Sequence, residues 1–365
     1  MDFRPSEAQQ LLVAAARDFL ARHCPIDAPP GGPAAPKDLW TEMALLGWPG
    51  LLVPGDLGGS DGTLLDVMLL VEEMGRFDLE SPYIASAVAA TSMLLASAVP
   101  ARRRAVVPEM ALGRRTAALA LLEESGELTP QAISTRGEPG GRLQGRKLCV
   151  RDADIAHDLI VTARGESGVS VFHVQRARAG ITCEAMPSID GNRLFAVTFD
   201  GVDVAPADML GDAGAGWDVL RPALALGALA RCAEMIGAAA RILDLAVEHA
   251  KTRVQSGRPI GSFQAIQHAC ADLLRGVESA RPLALSAAWR VERGQPSDAE
   301  VAMAKSYTGD ACLSVARKAH QIFGAIGYCE EHPLHRFHKR ILAARLEYGD
   351  AVHHAETIAR AIGLV

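Results

Sequence analysis

The chain has 365 residues, 49% of them hydrophobic and 22% charged, the composition of a globular protein with more than one core. Its formal net charge of −6 argues against nucleic acid or an anionic bilayer as the principal partner, while leaving room for a local anion site built on one Arg. Only 5% of the residues are aromatic and Ala is abundant, so the composition leans helical.

"SEAQQLLVAAARDFLARH" opens with Ser6, a good N-cap, and repeats Leu11, Leu12, Ala15 and Phe19 at helical spacing. "PPGGPAAP" (29–36) reads as a loop and "KDLWTEMALLGW" as a second helix closed by Gly47. A Gly/Pro-rich link, "PGLLVPGDLGGSDG", leads to two more helices, "TLLDVMLLVEEMGRF" and "SPYIASAVAATSMLLASA". A fifth, about "PARRRAVVPEMALG", ends near residue 113. From about 116 to 210 the character changes to short β-rich runs split by Gly, Asp and Asn: "TAALALLE", "AISTRG", "RLQGRKLCVRD", "HDLIVTARG", "VSVFHVQ", "ITCEAMP" and "LFAVTFDGVDV". From "GWDVLRPALALGALARCAEMIGAAARILDLAVEHAKTR" long helices continue to Val365.

The expected fold class is therefore α+β: an N-terminal all-α domain (1–115), a central antiparallel β domain (116–212) and a C-terminal four-helix bundle (213–365). No repeat of fixed period is present, which argues against a solenoid. The segment "ALALGALARCAEMIGAAARILDLAV" is apolar nearly all round; such a helix cannot be exposed in a monomer, and a dimer or a dimer of dimers is expected.

The seven cysteines are scattered, with no metal-finger or CxxC spacing, and read as reduced packing thiols. "MDFRPSEAQQ" carries no signal peptide and no apolar run reads as long and clean enough to span a bilayer, so a cytoplasmic protein without membrane insertion is expected. His332, His335 and His338, with His353 and His354, lack the further ligand pattern of a metal site. They read as a solvated, basic helix end, and no metal is expected.

One stretch, "RVQSGRPIGSFQAIQHACADL" (253–273), sets Arg253, Gln264 and Gln267 around a helix end, a tight turn and a new helix start. Backbone geometry accounts for its Gly and Pro but not for those polar residues. Together with "GWPGLLVPGDLGGSDGTLLDVMLLVEEMGR" (47–76) and "QIFGAIGYCEEHPLHRFHKRI" (321–341), in this order around a β domain, it resembles the acyl-CoA dehydrogenase family over the whole chain.

The resemblance implies a flavoprotein in which FAD lies between subunits. Arg253 would pair with the pyrophosphate, as a planar guanidinium suits. Gln255 and Gln264 would join it, Gln264 near the adenosine end, and Gln321, Gly324 and Ala325 would let backbone approach the pyrophosphate. Ala325 replaces the family's usual second Gly. The implied reaction is α,β-dehydrogenation of an acyl-CoA: a carboxylate takes the pro-R α proton while the β hydrogen leaves as hydride to the flavin. An electron-transfer acceptor completes the implied set of partners.

The family's base is usually a Glu in a Tyr-Glu-Gly-Thr-like turn. Here the turn reads "RLEYGDAVHH", with Tyr348 at the Glu position, Glu347 one residue early, Gly349 kept and Asp350 at the Thr position. A one-residue shift rotates a helical side chain by about 100°. The alternative base position, on the first bundle helix, falls on Gly227. In the family's flavin-contacting Thr-Glu-Pro run, "ALALLEESGELTP" has Leu122 and Glu124 at the outer positions. Cys149 and Arg151 replace the later Trp and Thr/Ser. Loss of base and flavin contacts beside a retained ADP half is the pattern of the supporting subunit in an α2β2 enzyme, as in heteromeric steroid-degrading members. The alternatives are a self-sufficient homo-oligomer with a relocated base, Asp350 or Glu347, and a non-enzymatic scaffold.

Overall fold

The computed structural model describes residues 3–26, 36–96 and 100–364. The loop expected over 29–36 lies outside the described residues except for Pro36, which opens a helix. The chain forms two compact units, one of Met1–Ala34, Leu64–Leu79 and Ala228–Val365, the other of Ala35–Thr63 and Glu80–Gly227.

In the first unit, α1 (Glu7–His23) begins with a capping box: Ser6 Oγ accepts from the Gln9 amide at 3.2 Å, and Gln9 Oε1 accepts from the Ser6 amide at 2.9 Å. Further along the chain, α3 (Leu64–Arg76) crosses the long helix α6 (Gly216–Thr252) at glycines. A Cβ on Gly75 would stand 2.1 Å from the Glu234 carbonyl oxygen, and one on Gly237 would stand 1.9 Å from that of Glu72. Only Gly permits this approach. By length and composition α6 could cross a membrane, contrary to the sequence expectation that no such run exists, but 89% of its apolar window is buried inside the chain. The same burial removes the argument that α6 demands a second subunit to cover it.

After α6 come a two-residue hairpin, β8 (Val254–Gln255) and β9 (Arg258–Pro259), then α7 (Gln264–Glu292) and α8 (Asp298–Phe323). The hairpin turns through Ser256 and Gly257, both at positive φ (51° and 77°), as a type I′ turn requires. The bundle is completed by α9 (Leu334–Ala344) and α10 (Ala351–Ala361), separated by a short turn over 345–350.

The second unit holds α2 (Pro36–Leu45), α4 (Thr91–Ala96), which continues a π-helical segment Ile84–Ala90, and α5 (Pro100–Ala111). Its strands are β1 (Ala117–Ala120), β2 (Arg142–Arg151), β3 (Asp158–Gly165), β4 (Gly168–Gln175), β5 (Ile181–Met186), β6 (Leu194–Asp203) and β7 (Met209–Leu210). They form two sheets, ordered β1-β3-β4-β7 and β2-β6-β5. The expected antiparallel pattern holds except that β1 pairs with β3 in parallel, Ala117 opposite Asp158. "AISTRG" makes only isolated bridges at Arg136, because the Ser134 and Thr135 amides are taken by the Glu123 carboxylate at 2.9 and 3.0 Å. The core between strands is apolar, centred on Leu143, Val161, Phe172 and Phe199.

Candidate functional site

The Arg253 segment and the 321–325 turn meet at one end of the bundle. His249, on the last turn of α6, stacks on Phe323 at 4.5 Å between ring centroids, and Phe323 directly precedes Gly324. The Arg253 amide closes α6 on the His249 carbonyl at 2.9 Å, while its own carbonyl accepts from the Ile260 amide at 2.8 Å. The backbone of Arg253 is thus fixed, and its side chain is exposed. Gln255, Gln264, Gln321, Gly324 and Ala325 are exposed as well. Gly324 has φ 65° and ψ −142°, a conformation open only to Gly, and a Cβ there would meet nothing within 4 Å. Its backbone can therefore be approached from outside, as a pyrophosphate would need. Gln267 differs from the others: its Nε2 donates to the Gly261 carbonyl at 3.0 Å, so it serves the turn. Exposed apolar side chains, Val254, Ile326 and Tyr328 at 55%, 43% and 72%, flank this polar group.

Two of the histidines expected to make a basic helix end, His338 and His354, are not charged groups of that kind. His320 Nε2 and His338 Nδ1 share a hydrogen bond at 2.9 Å. Burial and the neighbouring His320 push His338 down to about 4, and burial pushes His354 down to about 4, so both are neutral at pH 7. Among the described residues no group of three His, Cys, Asp or Glu side chains could hold a metal ion.

The 345–350 turn has a different character. Asp350, an exposed residue, is the N-cap of α10 and accepts from the His353 amide at 2.9 Å. Glu347 pairs with Arg231 Nη2 at 2.6 Å. Arg231 is buried in α6, and its Nη1 pairs with Glu234 at 2.6 Å. The other oxygen of Glu234 accepts from Arg340 at 3.0 Å; Arg340 also pairs with Asp78, and Asp78 with Arg336 at 2.9 Å. The result is a ladder of alternating charge, Arg336–Asp78–Arg340–Glu234–Arg231–Glu347. Burial opposes the charge on Arg231, but Glu234, Glu347 and Tyr348 outweigh it and raise its pKa. Beside the ladder, the buried Lys305 donates to the carbonyls of Arg345 and Gly349 at 3.0 and 3.2 Å. The turn itself reverses through Tyr348 and Gly349, at φ 57° and 96°.

In the β unit, Leu122 and Glu124 flank Glu123, which is buried and bonded to Lys147 Nζ at 2.7 Å. Burial opposes its charge, yet hydrogen bonds from Lys147, Ser134 and the Thr135 amide win and hold Glu123 down at about 2. Lys147, fully buried, also donates to Thr162 Oγ1 at 2.9 Å. Cys149 lies exposed at a bulge of β2 with φ 55°, and Arg151 pairs with Asp190 at 3.4 Å.

Sequence reasoning missed Arg231, Glu234, Lys305 and the Glu123–Lys147 pair. The first two carried a signal: an Arg and a Glu three residues apart inside "ALALGALARCAEMIGAAA", where every other residue is apolar or Gly. Charges in such a helix must be paired to be buried.

The chain matches two family models, "Acyl-CoA dehydrogenase, N-terminal domain" over residues 6–114 and "Acyl-CoA dehydrogenase, C-terminal domain" over residues 214–363. An acyl-CoA dehydrogenase of Bacillus subtilis (strain 168) is 31% identical over 316 residues, 82% of this chain and 83% of that protein. Among solved structures, butyryl-CoA dehydrogenase from Megasphaera elsdenii aligns with a TM-score of 0.92 at 25% identity, covering 99% of this chain and 100% of that one. The ChsE4-ChsE5 complex from Mycobacterium tuberculosis aligns with a TM-score of 0.90 at 28% identity, covering 100% of both chains.

Proposed function

The chain belongs to the acyl-CoA dehydrogenase family, and on that premise we propose that it is the supporting subunit of a heteromeric α2β2 enzyme whose base is carried by a homologous partner. The family places it among FAD-dependent oxidoreductases acting on the CH–CH bond of an acyl-CoA. The observation that carries the reading is the state of the 345–350 turn. Its two carboxylates are engaged, Glu347 by Arg231 and Asp350 by the α10 N-terminus. Tyr348, at the base position, is no carboxylate.

The exposed end of the bundle supports the other half of the reading. FAD, when bound, supplies the hydride acceptor. Arg253 would neutralise its pyrophosphate, Gln255 and Gln264 would offer amide donors toward the adenosine, and the backbone of Gly324 and Ala325 would close on the phosphates below Gln321. All of these groups face away from the bundle, and the apolar rim of Val254, Ile326 and Tyr328 suits cover by a second chain. The likeness to a solved two-chain complex agrees with such an assembly. An electron-transfer acceptor would then complete turnover.

Purification alone and with the homologous chain tests this. The expected result is a colourless protein that binds FAD only in the complex. A protein that is yellow on its own, with one FAD per chain and acyl-CoA oxidation, refutes the reading.

A further inference from the structure

The 345–350 turn meets two cations from inside the bundle. Arg231, from α6, reaches the Glu347 carboxylate; Lys305, from α8, reaches the carbonyls of Arg345 and Gly349. We infer that Arg231 is a positioning residue: with Lys305 it holds the turn against the bundle, and Glu347 is its counter-ion and not a proton acceptor.

Three features carry this. The ladder sets three guanidiniums against three carboxylates, and Glu347 is the second carboxylate on Arg231. A proton taken up by Glu347 would leave the buried Arg231 with Glu234 alone, and Glu234 is already shared with Arg340. Stranding part of a buried charge in this way is costly. Second, Arg231 Nε is buried with no hydrogen-bond partner among the described residues. The guanidinium is oriented by its two terminal nitrogens, as reaching both Glu234 and Glu347 demands, at the expense of the donor on its third nitrogen. Third, the turn has no slack. A Cβ on Gly349 would come within 2.6 Å of the His353 ring and 2.8 Å of the His354 ring, and Tyr348 is in the left-handed region. The inference rests on the reading above only in denying Glu347 the role of base; the hold on the turn is a property of this chain in any assembly.

The test is a double-mutant cycle read by amide hydrogen exchange in the full chain. The Arg345 and Leu346 amides, bonded to the Ile341 and Ala343 carbonyls, report opening of the turn, and the β3–β4 amides serve as reference. Glu347→Gln is expected to lower protection at Arg345 and Leu346 by about tenfold while leaving β3–β4 unchanged. In an Arg231→Met background the same substitution is expected to change protection by less than about twofold, because the interaction it removes is already gone. Lys305→Met is expected to open the turn by a similar factor in both backgrounds. Equal effects of Glu347→Gln with and without Arg231, or none in either, overturn the inference. If Arg231→Met does not fold, Glu347→Gln alone decides: unchanged protection at Arg345 and Leu346 refutes the role. Turnover of the assembled enzyme is scored separately. Coupling in the cycle together with lost turnover in Asp350→Asn retains the inference and overturns only the supporting-subunit reading.

Discussion

At the end of the bundle where α6 and α8 terminate, Arg253, Gln255, Gln264 and Gln321 project from rigid backbone into solvent. In the 345–350 turn the carboxylates are engaged instead, and Glu347, Asp350 and the neighbouring Lys305 each hold another part of this chain. Both regions carry charged residues at positions where the family resemblance expects function. They differ in whether those residues are available. Glu123 repeats the lesson in the β unit: it stands inside the run that the family resemblance matches to a flavin contact, but its carboxylate is committed to Lys147, Ser134 and Thr135. A residue type at a motif position is a candidate, and its hydrogen-bond partners decide whether it can meet a ligand.

The sharpest way to break this contrast is turnover. In the assembled enzyme, Glu347→Gln and Asp350→Asn are expected to leave acyl-CoA oxidation within about threefold, while replacing the partner's carboxylate should lower it by about 10²–10⁴-fold. Loss of flavin reduction in either variant of this chain, with FAD still bound, would show that the turn is reactive. Glu123→Gln is the next largest effect, because it leaves a fully buried Lys147 without its counter-ion. A loss of about 3–5 kcal/mol in urea unfolding is expected at pH 7. The carboxyl is held down at about 2 from its ordinary 4.5, so the wild type's advantage should be present above pH 4.5 and fade as pH falls toward 2.

Lys305 gives a prediction of opposite sign. Burial lowers it from 10.5 to about 8, so its charge burdens the folded state below pH 8 and the burden lifts as pH rises toward 10.5. Between pH 7 and pH 10.5 the stability of the wild type should rise relative to Lys305→Met by about 2–3 kcal/mol. A constant gap over that range would mean that the ammonium is not buried. The smallest effect belongs to the exposed end. Arg253→Ala should weaken FAD binding by about ten- to a hundredfold, roughly the 1.5–3 kcal/mol of a charge-assisted contact, and leave unfolding of the apoprotein unchanged. Equal FAD retention after dialysis would place Arg253 outside the cofactor site.

The sequence by itself determined what is local. Helix periodicity, the Ser6 cap, the Ser-Gly reversal after Val254 and Gln255, and the change to β-rich runs near 116 are set within a few residues of chain, and all were legible. So was the family, because its motifs are contiguous strings. Only the tertiary structure decided which polar residues are free. The partners of Glu347, Glu234 and Asp78 stand at 231, 340 and 336, and the seat of Gly237 is a carbonyl at 72. It also decided that α6 is covered inside the chain, and that β1 joins its sheet in parallel. Ion pairs and helix crossings of this kind depend on which distant segments pack together, and a buried charge is permitted only where that packing supplies its opposite, which no local window of residues contains.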